Sequence, residues 1–411
     1  MLELLYVLSM AVAFTYKYDG ELTSFWLKYI IAAIWIILWL FDATRKKVNI
    51  SGASLFYLRQ YIIPTGLILV WTILMYFVNT PAGYNSSYMS RSVANILCLG
   101  LAYTSAIAAS YFFQRRVIQL SVYAIIISTL VNVIRSIQLY GMPVFLQFMR
   151  TAALVTDFDV TRPTYRISQM LEVHDSTVAC GYYLIYYLFF CDKKENNRWK
   201  NIISLALCAY IGFKRVTFIG IIVVFFMLIL FKAKEEKVIR TINILALVVS
   251  CAAFAYLIAI KIDLLSIVSD ILKIDFVGRL DIYANLRNYY SLNPLFLGTG
   301  YGFINKLFAE TTGYASHSDI VRMYIELGFL PYIAWLYHYL KRIPTRVYRW
   351  YDIDATRVYM ASVIYAFVTY FVGNAMTLYC IQFSFALLPI ALSYPPSDTT
   401  RRKLKVKWGD I

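Results

Sequence analysis

Apolar residues in this chain come in long unbroken runs. They do not follow the spaced stripe of an amphipathic surface helix or the alternation of a half-buried strand. WLKYIIAAIWIILWLF, ANILCLGLAYTSAIAASYFF and NILALVVSCAAFAYLIAIK are examples. A helix of about 20 such residues crosses a hydrocarbon core, and within it every backbone group must be satisfied by the segment itself. The pattern therefore predicts an all-α, polytopic integral membrane protein with about twelve transmembrane helices. They are expected near 2–15, 25–41, 59–79, 93–113, 117–140, 175–191, 201–213, 216–231, 241–262, 318–340, 357–373 and 376–393. The polar punctuation between runs is too short for a separate soluble unit. Residues 1–411 read as one membrane domain, with 263–316 as a large external loop and 394–411 as a basic cytoplasmic tail.

Composition agrees: 60% of the residues are hydrophobic and 15% charged, more apolar surface than one soluble core could cover. The formal charge of +16 does not point to nucleic acid, because in a membrane protein its division between the two faces carries the meaning. With a cytoplasmic N-terminus, Arg45-Lys46-Lys47, Arg115-Arg116, Lys193-Lys194, Lys232, Lys234, Lys237, Lys341-Arg342 and Arg401-Arg402-Lys403 all fall inside, as the positive-inside rule asks. The opening MLELLYVLSMAVAF has neither a basic leader nor a small-residue cleavage site and is expected to be a retained first span. The six cysteines contain no CxxC pair and read as structural thiols, and the tyrosines and tryptophans near span ends as headgroup-level anchors.

That topology leaves two long outer segments, 141–174 and 263–316, where function is to be sought. In the larger, Leu264, Ile267, Val268, Ile271 and Leu272 have helical spacing, predicting short amphipathic helices on the membrane face before a Gly/Pro-rich loop. Arg279 and Arg287 lie there, and Lys214-Arg215 sits in a tight outer turn, all against the positive-inside trend. Each could snorkel to lipid phosphates; together they ask for an anionic ligand. Ser316-His317-Ser318-Asp319 fits a capping box with Ser316 as N-cap, which places His317 in a first helical turn as a candidate base. Arg322 and Glu326 follow at i,i+4 spacing, one to two turns deeper, where charges must be paired or face a wet cavity; the helix is expected to line one, and Pro331 to kink it. His174-Asp175, at another helix entrance, is a further candidate. Asp157-Phe158-Asp159 has the Asp-x-Asp form of metal-dependent glycosyltransferases, a pattern short enough to arise by chance.

GRLDIYANLRNYYSLNPLFLGTGYG followed by HSDIVRMYIELG resembles the signature of the bacterial O-antigen polymerase and O-antigen ligase superfamily. GFKRVTFIGIIVVFF is similar to its other arginine-bearing turn, with Lys214 where a serine is more usual. The resemblance covers about the last half of the chain and rests on the order of degenerate motifs. It implies glycosyl transfer, without metal or other cofactor, from an undecaprenyl-diphosphate-linked oligosaccharide at the periplasmic face of a bacterial inner membrane. His317 would then be the base and Arg215 and Arg279 the catalytic arginines, with Lys214, Arg287, Arg322, Glu326 and His174 around the substrate. The partners implied are the lipid bilayer, a chain-length regulator and a flippase.

Within that family a repeat-unit polymerase is expected ahead of a ligase that transfers the glycan to lipid A core. A lipid-linked oligosaccharide flippase is the alternative from another class, although no internal repeat is visible. The Gly298-Thr299-Gly300-Tyr301-Gly302 string echoes a potassium filter but lacks its preceding pore helix.

Overall fold

A computed structural model describes residues 1–15, 22–45, 52–79, 86–151, 167, 174–195, 197–212, 215–231, 237–272, 279–304, 307 and 316–394. Among them all regular structure is helical: α1 (Leu2–Phe14), α2 (Leu22–Arg45), α3 (Gly52–Asn79), α4 (Ser86–Phe113), α5 (Arg116–Tyr140), α6 (Met142–Thr151), α7 (His174–Ile185), α8 (Arg198–Gly212), α9 (Arg215–Leu230), α10 (Val238–Lys261), α11 (Leu264–Leu272), α12 (Arg279–Leu286), α13 (Asp319–Leu327), α14 (Phe329–Tyr337), α15 (Ile343–Trp350), α16 (Ile353–Val372) and α17 (Tyr379–Leu392). Six of them, α2, α3, α4, α5, α10 and α16, are long and apolar enough to cross a membrane; α1, α9, α17 and the run Ser176–Phe190 are apolar but shorter. The chain is thus a polytopic helical membrane protein.

Each expected span contains a helix, but the segments are not equivalent. Every residue of α17 from Tyr379 to Ala391 is buried. A largely apolar helix surrounded by protein is a core helix, its Gln382 and Ser384 bonded inside the bundle, whereas α10 leaves Leu247 and Val248 exposed for lipid. The expected span at 318–340 is two helices broken at Gly328, whose φ is +79°. Pro331 therefore produces no kink: it falls in the first turn of α14, where its missing N–H leaves no helical bond unmade.

Close helix packing is set by small residues, as in other membrane bundles. A side chain on Gly181 of α7 or Gly220 of α9 would occupy the space filled by Tyr365 of α16. The Tyr365 hydroxyl instead donates to the Val178 carbonyl at 2.8 Å. Many tyrosines are core residues, among them Tyr57, Tyr61, Tyr103, Tyr182 and Tyr359, while of the aromatics near span ends Tyr289 and Trp350 are exposed and Tyr290 is buried.

Helix ends gather at two poles. At one, Arg115 donates to the carbonyls of Tyr394 (2.7 Å) and Leu392 (3.1 Å), Arg357 to Phe231 (3.3 Å), and Arg198 to Tyr187 (2.8 Å) and Leu188 (3.0 Å). These cations satisfy carbonyls that a helix C-terminus leaves open. At the other pole lies the candidate site.

Candidate functional site

The site is built on the start of α13. Ser318, not Ser316, is its N-cap, accepting the Val321 N–H at 3.4 Å. The capping register is thus two residues later than the sequence suggests, because Ser316 is engaged elsewhere: its hydroxyl donates to Asn374 Oδ1 at 2.8 Å. His317 consequently stands outside the helix, half-buried, with φ +49°. The Asp319 N–H donates to the Gly373 carbonyl at 3.0 Å, so the turn after α16 holds both sides of His317.

One turn deeper, Asp319, Arg322 and Glu326 are completely buried. Arg322 Nη2 lies 2.7 Å from Asp319 Oδ1, and Nε lies 4.0 Å from Glu326 Oε2. None of the guanidinium nitrogens has a hydrogen-bond partner among the described residues, so the pairing is one of charge. The guanidinium also stands over the Tyr301 ring, 5.4 Å from its centroid. The outer carboxylate oxygens bind backbone: Asp319 accepts the Met376 N–H at 2.7 Å, and Glu326 accepts the Ile304 N–H at 3.2 Å. The charges expected to face a wet cavity are enclosed by protein, and they are tolerated at this depth because they neutralise one another and meet oriented amides.

The Gly-x-Gly-x-Gly string lies along this helix. Thr299 and Gly300 donate to the carbonyls of Ile325 (3.0 Å) and Glu326 (2.8 Å), and Phe329 donates back to Phe296 (2.8 Å). Gly298 (φ +83°) and Gly328 (φ +79°) face one another so closely that a side chain on either would overlap the other strand's backbone. The Tyr301 N–H reaches Thr72 Oγ1 at 3.1 Å and fastens the loop to α3. The string is a structural clasp with no resemblance to a filter.

Arg279 opens α12 beside two hydroxyls, Tyr256 donating to Tyr283 at 2.8 Å. Burial pushes the Tyr283 hydroxyl up, opposed by its bond to Tyr256 and by the Arg279 charge. Tyr256 also packs on Phe371 with ring centroids 5.5 Å apart, which brings α12 to the end of α16 beside the His317 turn. Arg215 starts α9, which packs on α16 in antiparallel sense: Gly220 meets Tyr365, while Arg357 at the start of α16 meets Phe231 just beyond the end of α9. Arg215 is exposed and lies towards the Gly373 end of α16, the pole of His317. His174 opens α7 at this pole too, since Thr217 donates to the Thr177 carbonyl at 3.4 Å.

Arg287 pairs with Asp263 at 3.0 Å, and its carbonyl accepts from Lys261 Nζ at 2.6 Å. It clamps the corner between α10 and α11, where the Ser266 hydroxyl and then Arg287 hold the Asp263 carboxyl below its usual range. Lys214, the His174 side chain, the Asp157-x-Asp159 string and the tail beyond Tyr394 lie outside the described residues. Among the described residues no group of three or more His, Cys, Asp or Glu is placed to hold a metal ion. Tyr256, Tyr283 and Asn374 join the site without a sequence signal. Two are among 36 tyrosines, and Asn374 follows an apolar run like any loop residue.

Residues 201–336, about a third of the chain, match the family model described as O-antigen ligase. No curated protein matches the chain. The matched stretch runs from α8 into α14 and holds Arg215, Arg279, the glycine clasp, His317 and the buried charges.

Proposed function

The chain belongs to the O-antigen ligase-like superfamily, and from that premise we propose that it is a membrane glycosyltransferase polymerising undecaprenyl-diphosphate-linked oligosaccharide repeat units at the periplasmic face of a bacterial inner membrane. The observation that carries this reading is the placement of His317, clamped outside the helix at the pole where Arg215 begins α9 and where Tyr256, bonded to Tyr283 of the helix that Arg279 opens, packs on Phe371 at the end of α16. The reading includes about twelve spans, counting the shorter apolar helices, with 263–316 facing the periplasm.

In the proposed reaction the acceptor sugar hydroxyl attacks the anomeric carbon of the donor. The new C–O bond forms as the bond from that carbon to the diphosphate oxygen breaks, and the hydroxyl proton passes to the His317 imidazole. The diphosphate leaves as an anion. It is already a weak base, so charge stabilisation by Arg279 and Arg215 serves it better than a proton would. Their planar forks suit its oxygens in a way that a lysine does not.

Single-turnover transfer from a synthetic undecaprenyl-diphosphate donor, with donor affinity measured separately, tests the assignment. His317→Ala is expected to leave donor binding nearly intact and slow transfer by roughly 100-fold or more. Arg279→Lys is expected to weaken both binding and turnover. Transfer by His317→Ala at the parent rate would remove the histidine from the chemistry. In the same assay, activity should survive EDTA; loss on chelation, restored by Mg or Mn and abolished by Asp157→Asn, would replace the arginine account with a metal-dependent one.

The description of the matched family favours a second reading, transfer of the glycan to lipid A core. Supplying either a second lipid-linked repeat unit or lipid A core as acceptor separates the two. Movement of the donor across vesicles without any transfer would favour the flippase. A chain-length regulator and a flippase remain the proposed partners.

A further inference from the structure

Asp319, Arg322 and Glu326 are buried, paired and shut off from any opening, although their positions one turn below His317 make them look like substrate ligands. Each carboxylate has two sides. One faces Arg322, and the other accepts amides from a different segment. Asp319 holds the Gly373–Thr377 turn through Met376; Glu326 holds the end of the glycine clasp through Ile304. The Gly373–Thr377 turn in turn fixes the backbone around His317, by Asn374 on Ser316 and by the Gly373 carbonyl on the Asp319 N–H.

We propose that Asp319, Arg322 and Glu326 form a positioning unit for His317 and do not bind substrate. Arg322 is the hub, because its single positive charge makes two buried carboxylates tolerable beside each other. With the hub in place, α13 holds one outer segment at each of two levels. The arm that bears on catalysis is Asp319, since its turn grips the residues on either side of the base. The Glu326 arm secures the clasp against α3 and α13. The functional half of this inference rests on the reading of His317 as base; the structural half does not.

The experiment uses the full-length protein in lipid nanodiscs and two independent readouts, amide hydrogen exchange by segment and steady-state transfer. Asp319→Asn and Glu326→Gln keep shape and remove charge. Asp319→Asn is expected to speed exchange at 373–377 by about tenfold or more while 298–304 stays within about twofold, and Glu326→Gln to do the reverse. Arg322→Met is expected to loosen both segments; should it fail to fold, the two isosteric variants still decide the matter. For transfer, Asp319→Asn should lower kcat by about tenfold or more with donor KM within about threefold. Asn374→Ala, which cuts the same path further on, should add nothing to Asp319→Asn.

A rise in KM with kcat intact would overturn the proposal in favour of substrate binding. Equal loosening of both segments in every variant would overturn it in favour of an undifferentiated core ion cluster. If His317→Ala transfers at the parent rate, the base reading falls alone, and the segment-specific exchange pattern still decides whether the three residues hold these two segments.

Discussion

A histidine at φ +49° adopts a conformation that non-glycine residues enter at a cost of about 1 kcal/mol or somewhat more, and it persists only where surrounding structure over-determines it. Here the Ser316–Asn374 and Asp319–Gly373 bonds supply that determination from both sides. His317→Gly separates structure from chemistry. Glycine relieves the strain but orders a freer unfolded chain, and the two effects nearly cancel. The expected outcome is a thermal unfolding midpoint in detergent within a few degrees of the parent, with transfer lost by roughly 100-fold. A midpoint lower by about 10 °C would instead mean that the imidazole's own contacts hold the pole together. The residue types were legible in the sequence: histidine, serine and aspartate at a helix entrance, arginines out of place for topology. The capping register was not, because Ser316 and Ser318 offer the same side chain, and only a turn 58 residues away in sequence decides which is free to cap.

Among the elements, α11 illustrates what periodicity can and cannot give. Its apolar spacing predicts a short amphipathic helix, and Leu264–Leu272 is one. The spacing says nothing about the corner before it, where Asp263 (φ +61°) pairs with Arg287 and Lys261 caps the carbonyls of Arg287 and Tyr290. That pairing is invisible to spacing, because Asp263 precedes Arg287 on the far side of α11 and α12. The Asp263 carboxyl is held below its unfolded range by the Ser266 hydroxyl and Arg287, so its contribution is complete above about pH 4 and fades only as the pH falls through the lower folded value. A spin label at the exposed Ile267 should therefore show constant mobility from about pH 8 to pH 5 and loosen only in stronger acid. Arg287→Met should move that loosening to higher pH. Mobility that changes near neutrality would mean another group governs the corner.

For the molecule as a whole, the runs of apolar residues identified a helical membrane protein, yet they could not separate helices facing lipid from helices facing protein. α17 and α10 are both apolar, but the first is enclosed throughout while the second exposes much of one face. The sorting is done by shape, such as the glycines that admit Tyr365, and by hydroxyl pairs such as Tyr6 with Ser121 at 2.8 Å, neither of which shows in hydropathy. The charge pattern adds what shape leaves open. Arg115, Arg198 and Arg357 cap carbonyls at one pole, and Arg115 belongs to the basic set expected inside, whereas Arg279 and His317 belong to the opposite pole. If the positive-inside rule orients the bundle, the first pole is cytoplasmic and the site is periplasmic. Asn285 on α12, exposed and on the loop that carries Arg279, is a direct probe. In a variant whose other cysteines have been replaced, Asn285→Cys should react with a membrane-impermeant maleimide in intact spheroplasts, and Lys193→Cys only after permeabilisation. The reverse pattern would put His317 in the cytoplasm, where a periplasmic donor could not reach it, and would remove the proposed reaction with it.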